Sequence, residues 1–150
     1  MSADGGEQVQ GSRHSTRSIK VLHIEGDTYV RRMVASGLPK MGKAFPAQGW
    51  PAVQVVEAQT GLDGVAKARE HLPDVIIMDV SLPGLNGLEA AAAIRRDART
   101  THIPIIILTV FEDQRVQEAA TRAGVQRVIQ KPFRWDELMK AIVEAVDRRA

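Results

Sequence analysis

Three short apolar runs in this sequence have the length of buried strands, and each is followed by a polar residue. The runs VIIM, IIIL and VIQ precede Asp79, Thr109 and Lys131 respectively. Nearly continuous apolar runs rich in β-branched residues are typical of parallel strands that are buried on both faces. Because the carboxyl ends of parallel strands open onto one crevice, we expect these three side chains to meet. A carboxylate, a hydroxyl and an ammonium group together suit a phosphoryl group that is carried by the carboxylate.

Helical patterns alternate with strand patterns from residue 19 to the end of the chain. Apolar residues that recur every three or four positions indicate helices between the strands. Five such βα units predict an α/β fold, in which a doubly wound parallel sheet carries helices on both faces. The predicted strands cover residues 19–24, 53–57, 74–78, 103–108 and 125–130.

The second predicted helix follows Thr60, whose hydroxyl can cap its first turn. We expect the helix to end before Pro73. The apolar spacing predicts that its inner face consists of Leu62, Val65, Ala66, Arg69 and Leu72.

Residues 40–52 (KMGKAFPAQGWPA) are longer than a usual connection between a helix and a strand. We interpret them as an insertion loop that contains Phe45 and Trp50. One reading is a surface insertion whose aromatic side chains pack back onto the domain. The other reading is a loop that binds a partner.

The chain length of 150 residues predicts one domain. Residues 1–18 are polar and glycine-rich and are predicted to form a flexible tail, which leaves residues 19–150 for the domain. The chain has no cysteine, which fits a cytoplasmic protein, and no apolar run long enough to span a membrane. Because aromatic residues are sparse and the net charge is only +2, we expect no direct nucleic-acid binding.

The sequence resembles the receiver domain of two-component response regulators. The similarity is carried by residues 75–87 (VIIMDVSLPGLNG), by residues 131–133 (KPF) and by Thr109 at the expected interval. The resemblance implies a flavodoxin-like fold with strand order 2-1-3-4-5. It also implies that Asp79 accepts a phosphoryl group from a kinase histidine, that Thr109 and Lys131 bind its oxygens, and that the bond from Lys131 to Pro132 is cis.

The resemblance further implies a magnesium site, and here the sequence departs from the family. The expected ligands are Glu25, Asp79 and the backbone carbonyl of Ser81, but Gly26 stands where a second acidic residue is usual. Because magnesium requires octahedral oxygen coordination, the loss of a carboxylate predicts weakened binding. Asp27 either bends inward towards the metal or caps the first helix.

Other departures concern switching. Val128 stands where receivers commonly have a tyrosine or phenylalanine that moves when the threonine engages the phosphate. Val110 replaces a small residue and is expected to crowd access to the site. The apolar Phe111 is expected to shield the acyl phosphate from water.

We therefore interpret the chain as a single-domain response regulator, not an enzyme, that is a monomer or a weak homodimer. Its expected partners are a histidine kinase or phosphotransfer protein and a downstream protein target. The alternative is a pseudo-receiver, which would act as a phosphorylation-independent interaction module. An enzyme that binds a nucleotide or flavin is disfavoured, because residues 25–27 (EGD) place negative charge where a phosphate would sit.

Overall fold

The computed structural model describes residues 18–110 and 114–149, in which five strands alternate with five α-helices. A 3₁₀ helix, Pro46–Gln48, lies between the first helix and the second strand. The elements are β1 (Ser18–Ile24), α1 (Thr28–Ala44), β2 (Ala52–Ala58), α2 (Gly61–His71), β3 (Val75–Met78), α3 (Gly87–Arg96), β4 (Ile105–Thr109), α4 (Gln114–Arg122), β5 (Arg127–Gln130) and α5 (Trp135–Arg149).

The strands form one parallel sheet in the order β2-β1-β3-β4-β5, which confirms the predicted fold. In β1, Ile24 lies opposite Ala58 of β2 and Met78 of β3. This register aligns the carboxyl ends of the three strands. The residues that follow β1 and β3, Glu25 and Asp79, are consequently neighbours at one edge of the sheet.

Two apolar cores cover the two faces of the sheet. Successive strand residues point to opposite faces, so Ile76 packs into the core under α2 and α3, whereas Ile77 packs into the core under α1 and α5. Both side chains are fully buried. Complete burial of one isoleucine is worth about 1.5–3 kcal/mol, so these cores anchor the strands whose ends carry the site.

The inner face of α2 differs from the prediction. Leu62 and Leu72 are 70% and 54% exposed, and the buried residues of the helix are instead Gly61, Gly64, Val65 and Ala68. A Cβ atom at Gly64 would overlap the side chain of Ile24. The prediction was right for Val65 and wrong for the other four residues, because α2 approaches the sheet through small residues, which have little weight in a pattern of large apolar side chains.

The predicted insertion at residues 40–52 is shorter than expected because α1 continues through Pro39 to Ala44. Met41 is 6% exposed, and its carbonyl accepts the amide of Phe45, so burial and capping both stabilise this extension. Trp50 packs against the core beneath α1, whereas Phe45 is 49% exposed. The two rings form a T-shaped pair with centroids 5.9 Å apart.

Ser18, which the prediction placed in the flexible tail, instead begins β1 and pairs with Ala52. Its pairing adds one rung to the parallel ladder between β1 and β2. The rest of the predicted tail lies outside the described residues. Within the described part of the chain, none of the helices combines the length and apolar character that a membrane span requires.

Candidate functional site

The ends of β1, β3 and β5 bring Glu25, Asp79 and Lys131 together. The Lys131 ammonium nitrogen lies 2.7 Å from Glu25 Oε1 and 3.2 Å from Asp79 Oδ2. Glu25 is 2% exposed, and the side chains of Asp79 and Lys131 are 13% and 15% exposed. The sequence predicted that Asp79 and Lys131 would meet, and the structure shows this contact.

The loop between β1 and α1 holds Glu25 through its backbone and its carboxylate. The amide of Glu25 donates to Ala58, and its carbonyl accepts a 2.8 Å hydrogen bond from the guanidinium of Arg31. Its Oε2 accepts the amide of Asp27 at 3.2 Å. Two bonds of its main chain and two of its carboxylate, counting that from Lys131, therefore fix Glu25 in the crevice.

Asp27 caps α1 in this structure. Its carboxylate accepts the amide of Val30 at 3.1 Å, and its backbone is extended, as is usual for an N-cap residue. Of the two roles considered for Asp27, the capping role is the one observed.

The loop after β3 places Asp79 above the start of α3. The Asp79 amide donates to Ile24, and Oδ1 accepts the amide of Ser81 at 3.2 Å. A Cβ atom at Gly87 would overlap the carbonyl of Asp79, so the first residue of α3 must be glycine for this close approach. Asn86 forms a capping box with Glu89 and fixes the start of the helix.

Thr109 is fully buried at the end of β4. Its carbonyl accepts the amide of Lys131 at 2.7 Å, which ties the ends of β4 and β5 together. The peptide bond from Lys131 to Pro132 is cis, as the resemblance implied. The structure therefore joins Thr109 and Lys131 through their main chains, and the predicted role of the Thr109 hydroxyl stays a prediction.

The environment of Lys131 favours its charged form. Burial alone lowers the pKa of Lys131, but the hydrogen bond to Glu25 and the negative charges of Asp79 and Glu25 outweigh burial. The pKa of Lys131 consequently lies above its ordinary value. Two carboxylates and one ammonium leave the site with one net negative charge.

The oxygen donors at the site are of the kind that magnesium prefers, but they include only two carboxylates. Asp79, Glu25 and the Ser81 carbonyl offer oxygen donors, and magnesium in proteins commonly keeps several waters beside one or two carboxylates. Among the described residues, no cluster of three or more acidic, His or Cys side chains could ligate a metal. Moreover, one oxygen of each carboxylate already accepts a hydrogen bond from Lys131.

Gly26 marks the gap left by the absent acidic residue. A Cβ atom there would lie 3.3 Å from Pro83 Cδ, which is a tight contact with a ring atom, and its next neighbour would be 3.7 Å away. The fold therefore has nearly enough room for a side chain at this position.

The positions expected to affect switching lie in different environments. Val128 is half-buried and packs against the core under α2 and α3. Val110 is 59% exposed and, with Lys131 and Val30, lines a cavity whose lining does not include Asp79 or Glu25, so its predicted effect on access to the site stays a prediction. Phe111, which was predicted to shield the acyl phosphate, lies outside the described residues.

Two residues that lie next to the site were not predicted from the sequence. Arg31 is 8% exposed and, besides the Glu25 carbonyl, contacts Glu57 with its Nε 3.4 Å from Oε1. His23 is fully buried, and neither ring nitrogen has a hydrogen-bond partner in the described structure. Burial, with the charges of Lys131 and Arg31, lowers the pKa of His23 to about 3. Arg31 stands three residues before Val34, on the stripe of α1 that is buried. This spacing was the one sign in the sequence that Arg31 would be buried.

Comparison with known proteins identifies the family. The family model described as the response regulator receiver domain matches residues 40–143. The chain is 40% identical to the protein PilH of Pseudomonas aeruginosa over 89 residues, which are 59% of this chain and 74% of PilH. It is 35% identical to the polar-differentiation response regulator DivK of Brucella ovis over 80 residues, which are 53% of this chain and 65% of DivK.

Solved structures extend the similarity beyond the residues that the family model matches. The chemotaxis protein CheY4 of Vibrio cholerae superposes with a TM-score of 0.70 and 26% identity, covering 85% of this chain and 98% of CheY4. The receiver domain of a Pseudomonas aeruginosa sensor histidine kinase, with magnesium coordinated in its active-site cleft, gives a TM-score of 0.70 at 27% identity. That match covers 87% of this chain and 98% of that domain. Family model, relatives and fold agree, and the chain belongs to the response regulator receiver domain family.

Proposed function

We propose that the protein is a receiver in a cytoplasmic phosphorelay and that Asp79 is its phosphoacceptor. Receiver domains generally interact with histidine kinases and with downstream targets. The observation that carries the proposal is the position of the Lys131 ammonium between Glu25 and Asp79, at 2.7 and 3.2 Å. This arrangement puts a positive charge beside the carboxylate that would carry the phosphoryl group.

In the proposed step, a carboxylate oxygen of Asp79 attacks the phosphorus of a phosphohistidine. An O–P bond forms, the P–N bond breaks, and the imidazole nitrogen keeps the electron pair and takes up a proton. The product is an aspartyl phosphate, a known type of covalent intermediate. The Ser81 amide, which donates to Asp79 Oδ1 at 3.2 Å, holds the carboxylate in orientation.

Lys131 and Thr109 would bind the phosphoryl oxygens once the group is in place. Lys131 can donate to an oxygen as a point charge, as lysines do in other phosphate sites. Magnesium, which receiver domains typically bind, would neutralise phosphoryl charge when held by Asp79, Glu25 and the Ser81 carbonyl. We propose that Gly26 weakens this binding because it supplies no carboxylate.

Output would follow from a shift between two arrangements of the loops after β4 and β5. The buried Thr109 ends β4 and Lys131 follows β5, and their backbones are joined by a 2.7 Å hydrogen bond. A phosphoryl group that bound both side chains would stabilise one arrangement over the other. The proposed signalling surface is formed by α4, β5 and α5. Since Val128 has no ring to relocate, the coupling would be carried by the loops themselves.

The test is to measure the intact mass of the protein after incubation with acetyl phosphate, with and without magnesium. The measurement is then repeated with a histidine kinase as the phosphoryl donor. We expect a gain of one phosphoryl group in the wild type and none in Asp79→Asn. The matched control is Asp63→Asn, which alters a partly exposed carboxylate on α2 and should leave the gain unchanged.

A pseudo-receiver is the second candidate, because Gly26 lacks the acid and Glu25 already neutralises Lys131 at 2.7 Å. Failure of both acetyl phosphate and kinase to modify the folded wild type would favour this candidate. Modification that persists in Asp79→Asn would reject Asp79 as the phosphoacceptor.

A further inference from the structure

Arg31 is a charged side chain that lies almost entirely inside the protein. It stands near the start of α1 and is 8% exposed. Its Nη1 atom donates to the Glu25 carbonyl at 2.8 Å, its Nη2 atom donates to Thr28 Oγ1 at 3.4 Å, and its Nε atom lies 3.4 Å from Glu57 Oε1. A buried charge is costly unless polar groups surround it, so these acceptors are what makes an arginine stable at this position. One guanidinium group therefore joins the residue after β1, the first residue of α1 and a carboxylate of β2.

The bond from Arg31 to Glu25 holds a peptide group of the candidate site. The Glu25 carbonyl belongs to the peptide that joins Glu25 to Gly26, where the chain bends between β1 and α1. Because a peptide group is planar, a hydrogen bond to its carbonyl also fixes the direction of the Gly26 amide. Glycine itself restricts the backbone less than any other residue. Arg31 therefore supplies a restraint at this bend that Gly26 cannot supply.

The residue that Arg31 restrains is the one that pairs with Lys131. Glu25 Oε1 accepts the Lys131 ammonium at 2.7 Å, and that ammonium lies 3.2 Å from Asp79 Oδ2. A continuous series of polar contacts consequently runs from Arg31 through Glu25 and Lys131 to Asp79. On its other side, Arg31 contacts Glu57, which belongs to the sheet. The position of Glu25 is thus set partly from outside the crevice.

We propose that Arg31 is a positioning residue for the site at Asp79. By holding the peptide between Glu25 and Gly26, it aims the Glu25 carboxylate at Lys131 and keeps the ammonium beside Asp79. A misplacement of about 1 Å can slow a reaction by roughly 100-fold, so a residue outside the crevice can affect the rate strongly. The effect on the rate rests on the proposed phosphorylation of Asp79, whereas the effect on the Gly26 peptide does not.

Arg32 provides a matched control at the next position of α1. Its Nε atom lies 3.6 Å from the same oxygen of Glu57, but its side chain is 73% exposed. Within residues 18–110 and 114–149, no contact joins Arg32 to Glu25. Replacing either arginine by methionine removes one cation from Glu57. A difference between the two variants therefore reports the buried contacts of Arg31 and not the loss of a charge beside Glu57.

The first measurement is the NMR relaxation of the Gly26 amide nitrogen in the full chain, without a phosphoryl donor. We expect the order parameter of this amide to fall in Arg31→Met, towards the values below about 0.6 that are typical of flexible backbone. It should keep the wild-type value in Arg32→Met. The amides of α5 should be unchanged in both variants, because a general loss of stability would not act on Gly26 alone.

The second measurement is the initial rate at which acetyl phosphate, in the presence of magnesium, adds a phosphoryl group, followed by intact mass. We expect this rate to be at least ~10-fold lower in Arg31→Met than in the wild type, and unchanged in Arg32→Met. Thermal melts set a temperature at which the variants are folded.

Arg31→Lys is the conservative variant. It keeps the charge, but one ammonium cannot reach the acceptors that the three nitrogens of the guanidinium reach together. We expect its Gly26 order parameter and its rate to lie between those of the wild type and Arg31→Met. If Arg31→Met does not fold, Arg31→Lys decides the question, with losses of the same sign and smaller size.

The possible results separate the role of Arg31 from the proposed function. If the wild type gains no phosphoryl group while the Gly26 amide loosens only in the variants of Arg31, the proposed function fails and the positioning of the peptide is supported. If the wild type is phosphorylated and Arg31→Met matches Arg32→Met in order parameter and rate, the proposal is overturned. A loosened Gly26 amide with an unchanged rate also overturns it, and so does a slower rate with an unchanged amide.

Discussion

The Lys131 ammonium lies closer to Glu25, at 2.7 Å, than to Asp79, at 3.2 Å. Glu25 is almost fully buried, so Lys131 compensates a carboxylate that water cannot reach. Lys131 thus stabilises the folded site before it meets any phosphoryl group. Its pKa is raised above the ordinary value of 10.5 by these carboxylates, despite the opposing effect of burial.

The raised pKa of Lys131 predicts a loss of stability in alkali. The folded state holds this proton more tightly than the unfolded state, so the contribution is complete below pH 10.5 and is lost as the pH rises through the folded pKa. We expect the free energy of unfolding, measured by urea denaturation, to fall more steeply with pH above 10.5 in the wild type than in Lys131→Met. Lys140→Met, on the exposed side of α5, is the control and should follow the wild type. Equal slopes for Lys131→Met and the wild type would contradict the prediction.

Restoring an acidic side chain at Gly26 should strengthen magnesium binding. Two unit charges about 4 Å apart interact by roughly 4 kcal/mol at an effective dielectric of 20, before desolvation is subtracted. We therefore expect Gly26→Asp to raise magnesium affinity by about tenfold or more in calorimetric titration. Gly26→Asn has nearly the same shape without the charge, and an equal gain in both variants would show that charge is not the cause.

The close approach of α2 to β1 predicts opposite outcomes for two substitutions on this helix. Gly64→Ala should destabilise the protein by about 1–3 kcal/mol, because the added methyl group overlaps Ile24. Leu62→Ala should change stability by less than about 0.5 kcal/mol, because Leu62 is 70% exposed. Urea denaturation distinguishes the two variants. A larger loss of stability in Leu62→Ala than in Gly64→Ala would support the inner face that the sequence predicted.

His23 predicts sensitivity to acid. Its pKa is lowered from 6.5 to about 3, first by burial and then by Lys131 and Arg31, so the unfolded state binds its proton at a higher pH than the folded state. Stability should therefore fall as the pH drops from 6.5 towards 3. His23→Leu should reduce this decline and, by removing an unpaired buried polar ring, should stabilise the protein at pH 7 by about 1–2 kcal/mol. His102→Leu, in an exposed turn, is the control; an equally steep decline in His23→Leu would refute the assignment.

The sequence predicted the parts of this molecule that depend on local pattern. Strand runs and helical stripes gave the five βα units, and the resemblance gave the strand order that the sheet has. The N-cap roles of Asp27 and Thr60 follow from side-chain chemistry next to the backbone, and both are observed. The meeting of Asp79 and Lys131 follows from a general property of parallel sheets.

What the sequence did not predict depends on tertiary packing. The buried face of α2 contains glycine and alanine besides Val65, and the role of Gly64 appears only when the helix lies against Ile24. The extension of α1 beyond Met41 to Ala44 ends where the Met41 carbonyl accepts the amide of Phe45. Likewise, Arg31 of α1 contacts the carbonyl of Glu25, which follows β1, and the carboxylate of Glu57 in β2. Because these residues lie in different parts of the fold, no local sequence pattern predicts the contacts.

The short segment from Lys131 to Trp135 links the site to α1. Its first residue contacts Asp79, its third and fifth residues stack edge to face with centroids 5.4 Å apart, and the ring of the fifth lies close to Gly37. An anion bound by Lys131 and a change in the packing of α1 against Trp135 would therefore act on the same five residues. Thermodynamic linkage makes any such coupling reciprocal: the factor by which the anion changes the packing equilibrium equals the factor by which the packing changes affinity for the anion.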